Sequence, residues 1–279
     1  MTQADDRTPV TGTAQESSCN ASLWQTVVAE VREQVAAEPL LAGFLYSTIL
    51  NHRDLAAALG FHLANKLNSD VTPALMLREI FDDAFARQPE IIAAARSDII
   101  ATYERDSACL DFSTPLLYFK GFHALGAHRV AHWLWQNRQR NLALVLQNRI
   151  SVAFGVDIHP AARIGKGILL DHATGVVIGE TAVVEDGVSM MQSVTLGGTG
   201  KETGDRHPKI RRGVLIGPGA KILGNIEVGE GAKIIAASVV LQAVPARAIA
   251  AGVPARVVGR VTDAPAHKMD HSLEGCSGL

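Results

Sequence analysis

Between Ile158 and Val258 aliphatic side chains recur every sixth residue. The clearest run is Ile216, Ile222, Val228, Ile234 and Val240, each followed four residues on by Ala220, Ile226, Ala232, Ser238 or Val244. A period of six matches neither the 3.6 of a helix nor the 2 of a strand. It predicts one short strand and one tight turn per unit, stacked as a parallel β-helix. The leading aliphatic points into the prism, and the small residue turns the chain. Gly217 and Gly229 follow two leading positions, where a Cβ restricts the backbone angles of a tight turn.

The same rhythm runs upstream through Ile158 and Ile164, then Ile178, Val184, Met190 and Leu196. Ala162, Ile168, Ala182, Val188 and Val194 hold the fifth positions. The frame slips by two residues between Ile164 and Ile178, a stretch containing Leu169-Leu170-Asp171-His172-Ala173-Thr174-Gly175. It stops from Gly197 to Gly213, where Gly204-Asp205-Arg206-His207-Pro208-Lys209 lies. Extra residues in a stacked coil are pushed out as a bulge or loop, and loops on a rigid scaffold are where function concentrates.

Before the repeat the pattern is helical. Leu23, Val27, Val31 and Val35 line one face of a helix that Ser22 is placed to cap. Pro39 restarts the chain, Asp54 caps Leu55 to Leu67, and Thr72-Pro73 and Pro89 open two more helices. Ser113-Thr114-Pro115 opens one long aromatic segment from Leu116 to Trp135, and a last helix runs from Leu142 to about Phe154. The predicted organisation is an α+β chain: a disordered lead (1–21), a helical domain (22–154), a hexapeptide-repeat β-helix (155–261) and a flexible tail (262–279).

Composition narrows the function. A net charge of −2 over 279 residues offers no basic field for nucleic acid. No apolar run approaches ~20 residues, so no membrane span is expected, and the N-terminus carries no secretion signal. Cys19, Cys109 and Cys276 form neither a disulfide framework nor a CxxC motif, which fits a reducing cytoplasm.

The chemistry is expected in the interruptions. Imidazole suits general base work near neutral pH. Three units, roughly 18 residues, complete one turn. Asp157 and His172 are 15 residues apart, about one turn, so a carboxylate is placed to orient the base. Spacing alone slightly favours the plainer reading, in which His159-Pro160 is a turn and His172 a solvated loop residue. A zinc site at a trimer interface lacks a second ligand near His172 or His207. Gly200-Lys201 lacks the upstream glycine of a Walker loop, with Thr195 in its place.

Four stretches together resemble serine O-acetyltransferase. They are Val156-Asp157-Ile158-His159-Pro160-Ala161-Ala162, Leu170-Asp171-His172-Ala173-Thr174-Gly175, Gln192 through Lys201, and Gly204-Asp205-Arg206-His207-Pro208-Lys209. The helical run Ser113 to Leu125 and Ala251-Gly252-Val253-Pro254-Ala255-Arg256 look like the same family. The resemblance covers roughly residues 22–260 and implies a left-handed β-helix, a handedness the period alone does not supply.

The resemblance implies acetyl transfer from acetyl-CoA, as co-substrate and with no tightly bound cofactor or metal, to the hydroxyl of L-serine. Carried over residue by residue, it makes His172 the general base and Asp157 its partner. Arg206 clamps the serine carboxylate, Asp171 and Asp106 bind the ammonium group, and His207 completes the pocket. Gly198, Thr199, Pro218, Lys233 and Ala236 are the expected coenzyme A contacts, in a groove between neighbouring β-helices. The implied assembly is a homotrimer or dimer of trimers, with L-cysteine as feedback inhibitor. The tail, ending in Leu279, is the implied contact for O-acetylserine sulfhydrylase. The alternative activity is a hexapeptide acyltransferase whose acceptor is a sugar or xenobiotic.

Overall fold

A computed structural model describes residues 16–200 and 203–272, with side chains from residue 23. Among the described residues eight α-helices come first: α1 (Glu16–Ala37), α2 (Ala42–Leu45), α3 (Leu55–Leu67), α4 (Ala74–Arg87), α5 (Glu90–Arg105), α6 (Ser113–Tyr118), α7 (Lys120–Gln136) and α8 (Arg140–Phe154). α1 starts upstream of Ser22, so Ser22 sits inside the helix and does not cap it. Asp54 does cap α3, its Oδ1 accepting the Ala57 N–H at 2.8 Å.

The segment expected to run unbroken from Leu116 to Trp135 is two helices, α6 and α7. Phe119 between them is extended, with φ −87 and ψ 108. The break turns the chain so that the start of α7 lies against the solenoid. A Cβ on Gly121 would sit 2.1 Å from the Leu170 carbonyl oxygen, so only glycine permits this approach.

α8 ends at Gly155, whose φ of 65 forms a left-handed C-cap. The solenoid follows at once. β1 (Val156–Ile158), β4 (Val176–Ile178), β7 (Thr195–Gly197), β10 (Lys221–Leu223) and β13 (Val239–Val240) stack as one parallel sheet. β2 (Arg163–Ile164), β5 (Val183–Val184), β8 (Lys209–Ile210) and β11 (Glu227–Val228) form the second. β3 (Leu169–Leu170), β6 (Ser189–Met190), β9 (Leu215–Ile216), β12 (Lys233–Ile234) and β14 (Ala248–Gly252) form the third, closed by antiparallel β15 (Ala255–Arg260). The result is a left-handed parallel β-helix of about 5 turns. The leading aliphatics from Ile158 to Val240 are at most 5 % exposed, apart from half-buried Ile164.

The third sheet is covered on its outer face too. The outward side chains Leu169, Ser189, Leu215, Lys233 and Ile249 are no more than 3 % exposed. α5 and α7 lie against β3, and α9 (Pro265–Lys268) lies against β9 and α5. The stretch read as a flexible tail therefore begins with ordered structure. Ser189 Oγ donates to the Ala266 carbonyl at 2.8 Å, and buried Lys233 donates to Asp270 and to the Ser272 carbonyl. Residues 1–15 and 273–279, Leu279 included, lie outside the described residues.

The helices are locked to the first coil by a buried pair. Arg129 Nη1 lies 2.5 Å from Asp98 Oδ2, with side chains 8 % and 0 % exposed. Asp98 Oδ1 accepts the Ile168 N–H at 2.9 Å, and Arg129 Nη2 donates to the Gly165 carbonyl at 2.8 Å. Such a pair contributes little net stability over an apolar contact, but breaking it strands a buried charge. Asp98→Asn is expected to cost roughly 3–5 kcal/mol for that reason, read as a lower urea midpoint. An unchanged midpoint would show that α5 and α7 dock without the ion pair.

Candidate active site

Three edges join the sheets of the prism, and both interruptions of the repeat fall on edges. Val156 pairs with Val176, twenty residues on, whereas Val177 pairs with Thr195, eighteen on. The two extra residues lie in 171–175, on the edge between the third sheet and the first. Thr195 pairs with Lys221, twenty-six on, and the extra residues lie in 198–208, on the edge between the first sheet and the second. Two clusters of polar side chains result.

The first cluster surrounds a cavity of about 390 Å³ whose lining includes Asp106, Lys120, Gly121, Asp171 and His172. Its floor exists because Gly121 lets α7 approach β3. His172 and Ala173 are consecutive residues in the left-handed region, with φ of 54 and 58. Strain of this kind is held only where surrounding structure enforces it, and it concentrates at functional sites. The turn presents the His172 ring outward, its side chain 72 % exposed and Nε2 3.8 Å from Asp171 Oδ1. Asp106 caps the C-terminal end of α5, where the helix dipole favours a cation. Its Oδ1 accepts the Ala108 N–H at 2.9 Å. Burial, aided by the like charge of Asp106, pushes the Asp171 carboxyl above the ordinary range, while His172 and His271 of the tail oppose the rise. Two facing carboxylates beside an exposed imidazole suit a ligand with an ammonium group and a hydroxyl.

The second cluster is built by the long loop. Arg206 Nη2 donates to Glu180 Oε2 at 2.7 Å, and this bond holds Glu180 below the ordinary carboxylate range. Thr181 Oγ1 accepts the backbone N–H groups of Arg206 and His207 at 3.0 and 3.1 Å. The Thr181 N–H donates to His207 Nδ1 at 3.2 Å, so the neutral ring carries its proton on Nε2. Burial and the Arg206 charge lower the His207 pKa, favouring that neutral donor. The ring packs against Gly179, where a Cβ would come 2.1 Å from both Cδ2 and Nε2. Asp157 belongs to this side: Gln147 Nε2 donates to its Oδ1 at 2.7 Å, and its charge acts on His159.

The structure therefore brings Asp106, Asp171 and His172 together, and separately Arg206 and His207, with Asp157 on the adjoining first sheet and linked to Arg206 through their shared action on His159. It does not join Asp157 to His172 within one chain, as turn spacing had suggested; among the described residues neither hydrogen-bonds the other. The reason is the coil's two extra residues, which carry His172 out at an edge while Asp157 points from the face of the first sheet.

The expected coenzyme A contacts divide likewise. Gly198 and Thr199 lie on the edge of Arg206. Pro218 and Ala236 lie one coil apart on the edge of His172, where the Ala237 N–H donates to the Pro218 carbonyl at 2.8 Å. Lys233 is elsewhere: it points from the third sheet into the tail contact and is 3 % exposed. Glu180 and Thr181 were missed by sequence reasoning. Correcting the stacking register for the two-residue slip would have set Gly179-Glu180 beside His159. Nothing in the sequence pointed to His271.

Cys109 is 1 % exposed, and burial pushes its thiol up to about 12, which removes it as a nucleophile. Among the described residues no group of three or more His, Cys, Asp or Glu is placed to hold a metal ion, and no helix is long and apolar enough to cross a membrane.

The sequence pattern described as "Serine acetyltransferase, N-terminal" matches residues 23–127. A serine acetyltransferase of Salmonella typhimurium is 59 % identical over 254 residues, covering 91 % of this chain and 93 % of that one. The structure of a serine acetyltransferase from Vibrio cholerae is 61 % identical with a TM-score of 0.90, covering 92 % of this chain and all of that one. A serine acetyltransferase in complex with cysteine is 56 % identical with a TM-score of 0.90, covering 91 % of this chain and 99 % of that one. One from Brucella abortus in complex with coenzyme A is 52 % identical with a TM-score of 0.85, covering 86 % and 96 %. With a helical unit locked to a hexapeptide β-helix and identity of this order along nine-tenths of its length, the chain belongs to the serine acetyltransferase family.

Proposed function

We propose that the chain transfers the acetyl group of acetyl-CoA to the hydroxyl of L-serine, giving O-acetyl-L-serine and CoA, at a site shared between neighbouring copies. The observation that carries this reading is the division of site residues between two edges of one prism. A ring of copies with parallel prism axes sets the His172 edge of one against the Arg206 edge of the next. That pairing completes the acceptor site and the coenzyme groove together.

In the completed site Asp106 and Asp171 hold the serine ammonium group. Arg206 of the neighbouring copy holds the carboxylate through its planar fork, sharing its charge with Glu180. His172 takes the hydroxyl proton as the oxygen attacks the thioester carbonyl. Asp157 of the neighbouring copy orients the imidazole and stabilises its charged form. The His207 Nε2–H faces the reacting centre as a donor. Collapse of the tetrahedral intermediate breaks the C–S bond, and imidazolium returns the proton to the leaving thiolate. No acyl-enzyme forms. The pantetheine arm lies between Gly198 and Thr199 of one copy and Pro218 and Ala236 of the next.

The assembly is read as a homotrimer or a dimer of trimers, in the cytoplasm. L-cysteine, which differs from serine by a thiol in place of the hydroxyl, fits the same acceptor site as an inhibitor. Contact of residues 273–279 with O-acetylserine sulfhydrylase rests on the sequence likeness.

The deciding experiment is release of CoA thiol by purified protein given acetyl-CoA and a panel of amino acids and sugars, with serine expected to be the preferred acceptor. Preference for a sugar would refute the reading. His172→Asn is expected to lower kcat about 10²–10⁴-fold, the usual worth of a general base, with the assembly intact on gel filtration; near-normal turnover would remove His172 from the chemistry. Arg206→Lys keeps the charge and loses the fork, so it should raise KM for serine far more than for acetyl-CoA and change the use of serine amide little. Equal losses for both acceptors would refute the clamp.

A pH profile tests the carboxylate pair. Asp171 is raised above the ordinary range by burial first and by Asp106 from α5, against His172 on its own turn and His271 from the tail. Its ionised form, which an ammonium group needs, is lost as pH falls through that raised value. Serine KM should therefore climb on acidification at a pH above the ordinary carboxylate range, and Asp106→Asn should move that climb to lower pH.

A further inference from the structure

We propose that Arg105 is a positioning residue for the acceptor site: its grip on the solenoid sets Asp106 opposite Asp171 and so governs affinity for the acceptor's ammonium group. This rests on reading Asp106 and Asp171 as the ammonium subsite.

Arg105 is the last residue of α5. Its Nη1 donates to the carbonyls of Gly167 and Gly187 at 3.1 and 3.3 Å and to Ser189 Oγ at 3.1 Å. Gly167 and Gly187 occupy adjacent coils, so one guanidinium ties the end of α5 to two coils at once. Ser189 pairs with Leu169 in the stacked strands, and Leu169 lies two residues before Asp171. Arg105 thus holds the turn that leads into β3 and on to one carboxylate, together with the neighbouring strand β6, and directly precedes the other carboxylate. Asp106 has left the helix, with φ −97 and ψ 110. A shift in the last turn of α5 therefore reaches its carboxylate with nothing between to absorb it. The grip is not the only contact that docks α5. Asp98 docks it too, two turns earlier, through Ile168 and Arg129. Arg105 also keeps its Nε buried without a partner among the described residues, an unfavourable arrangement retained to bring Nη1 to its three acceptors.

The test is steady-state kinetics on Arg105→Met, Arg105→Lys, Ser189→Ala and the reference variant Asp106→Asn, with thermal midpoints measured alongside. Misplacing a binding group by a fraction of an ångström to an ångström costs up to about 10²-fold. Arg105→Met is expected to raise serine KM about tenfold while acetyl-CoA KM stays within about twofold. Arg105→Lys, which keeps the charge and part of the bonding, should recover part of the loss, and Ser189→Ala should shift serine KM in the same direction by less. If Arg105→Met fails to fold, Arg105→Lys and Ser189→Ala decide the matter by the same split. Both KM values moving alike, or the thermal midpoint alone moving, while Asp106→Asn still raises serine KM, would overturn the role of Arg105. An unchanged serine KM in Asp106→Asn would instead overturn the ammonium subsite on which it rests.

Discussion

A β-helix coil has no room for extra chain inside. Each leading aliphatic must stack on the one above, so any residue beyond the eighteen-residue turn has to leave at an edge. That constraint organises this protein. Two extra residues leave at 171–175 and bend the chain through two left-handed positions, which turn His172 outward. A longer insertion leaves at 198–208 and returns in time to set Arg206 and His207 against Thr181. The interior stays apolar and regular, and the polar clusters are confined to where the register is broken.

The helical unit gives one of those edges its pocket. Asp98 and Arg129 fix α5 and α7 on the first coil, and Gly121 lets α7 touch β3. Only with both helices in place does the turn at His172 face Asp106 and Lys120 across a cavity. The loop at the other edge is held within the solenoid, by Gly179, Glu180 and Thr181 of the neighbouring coil, and on that side only Asp157 leans on a helix, through Gln147 of α8. Each polar cluster thus has its own support, and neither holds the residues of the other.

Much of this was legible in the sequence. The six-residue period located the solenoid, and its two failures located both polar clusters of the candidate site, because stacking converts periodicity directly into position. Other features were not legible. The two-residue slip lengthened one coil, so the pairing of Asp157 with His172 by turn spacing came out wrong within the chain. The break at Phe119 depends on the tertiary approach of Gly121 to Leu170, which no local pattern announces. The buried place of Lys233 depends on residues 265–272 folding back over the third sheet, and a segment without periodicity gives no sign of where it docks. The division of the two polar clusters between edges is likewise a property of three-dimensional closure.

The claim that neighbouring copies share the site is tested most directly by mixing two inactive variants. His172→Asn spoils one edge and Arg206→Met the other. In a cyclic assembly formed at random from equal amounts, about a quarter of the contacts join an intact His172 edge to an intact Arg206 edge. Co-refolded or co-expressed variants should therefore regain about a quarter of wild-type acetyl transfer to serine, although each alone is nearly inactive. Activity no higher than that of the separate variants, in assemblies shown by mass spectrometry to be mixed, would place both halves of the working site in one chain and contradict the account.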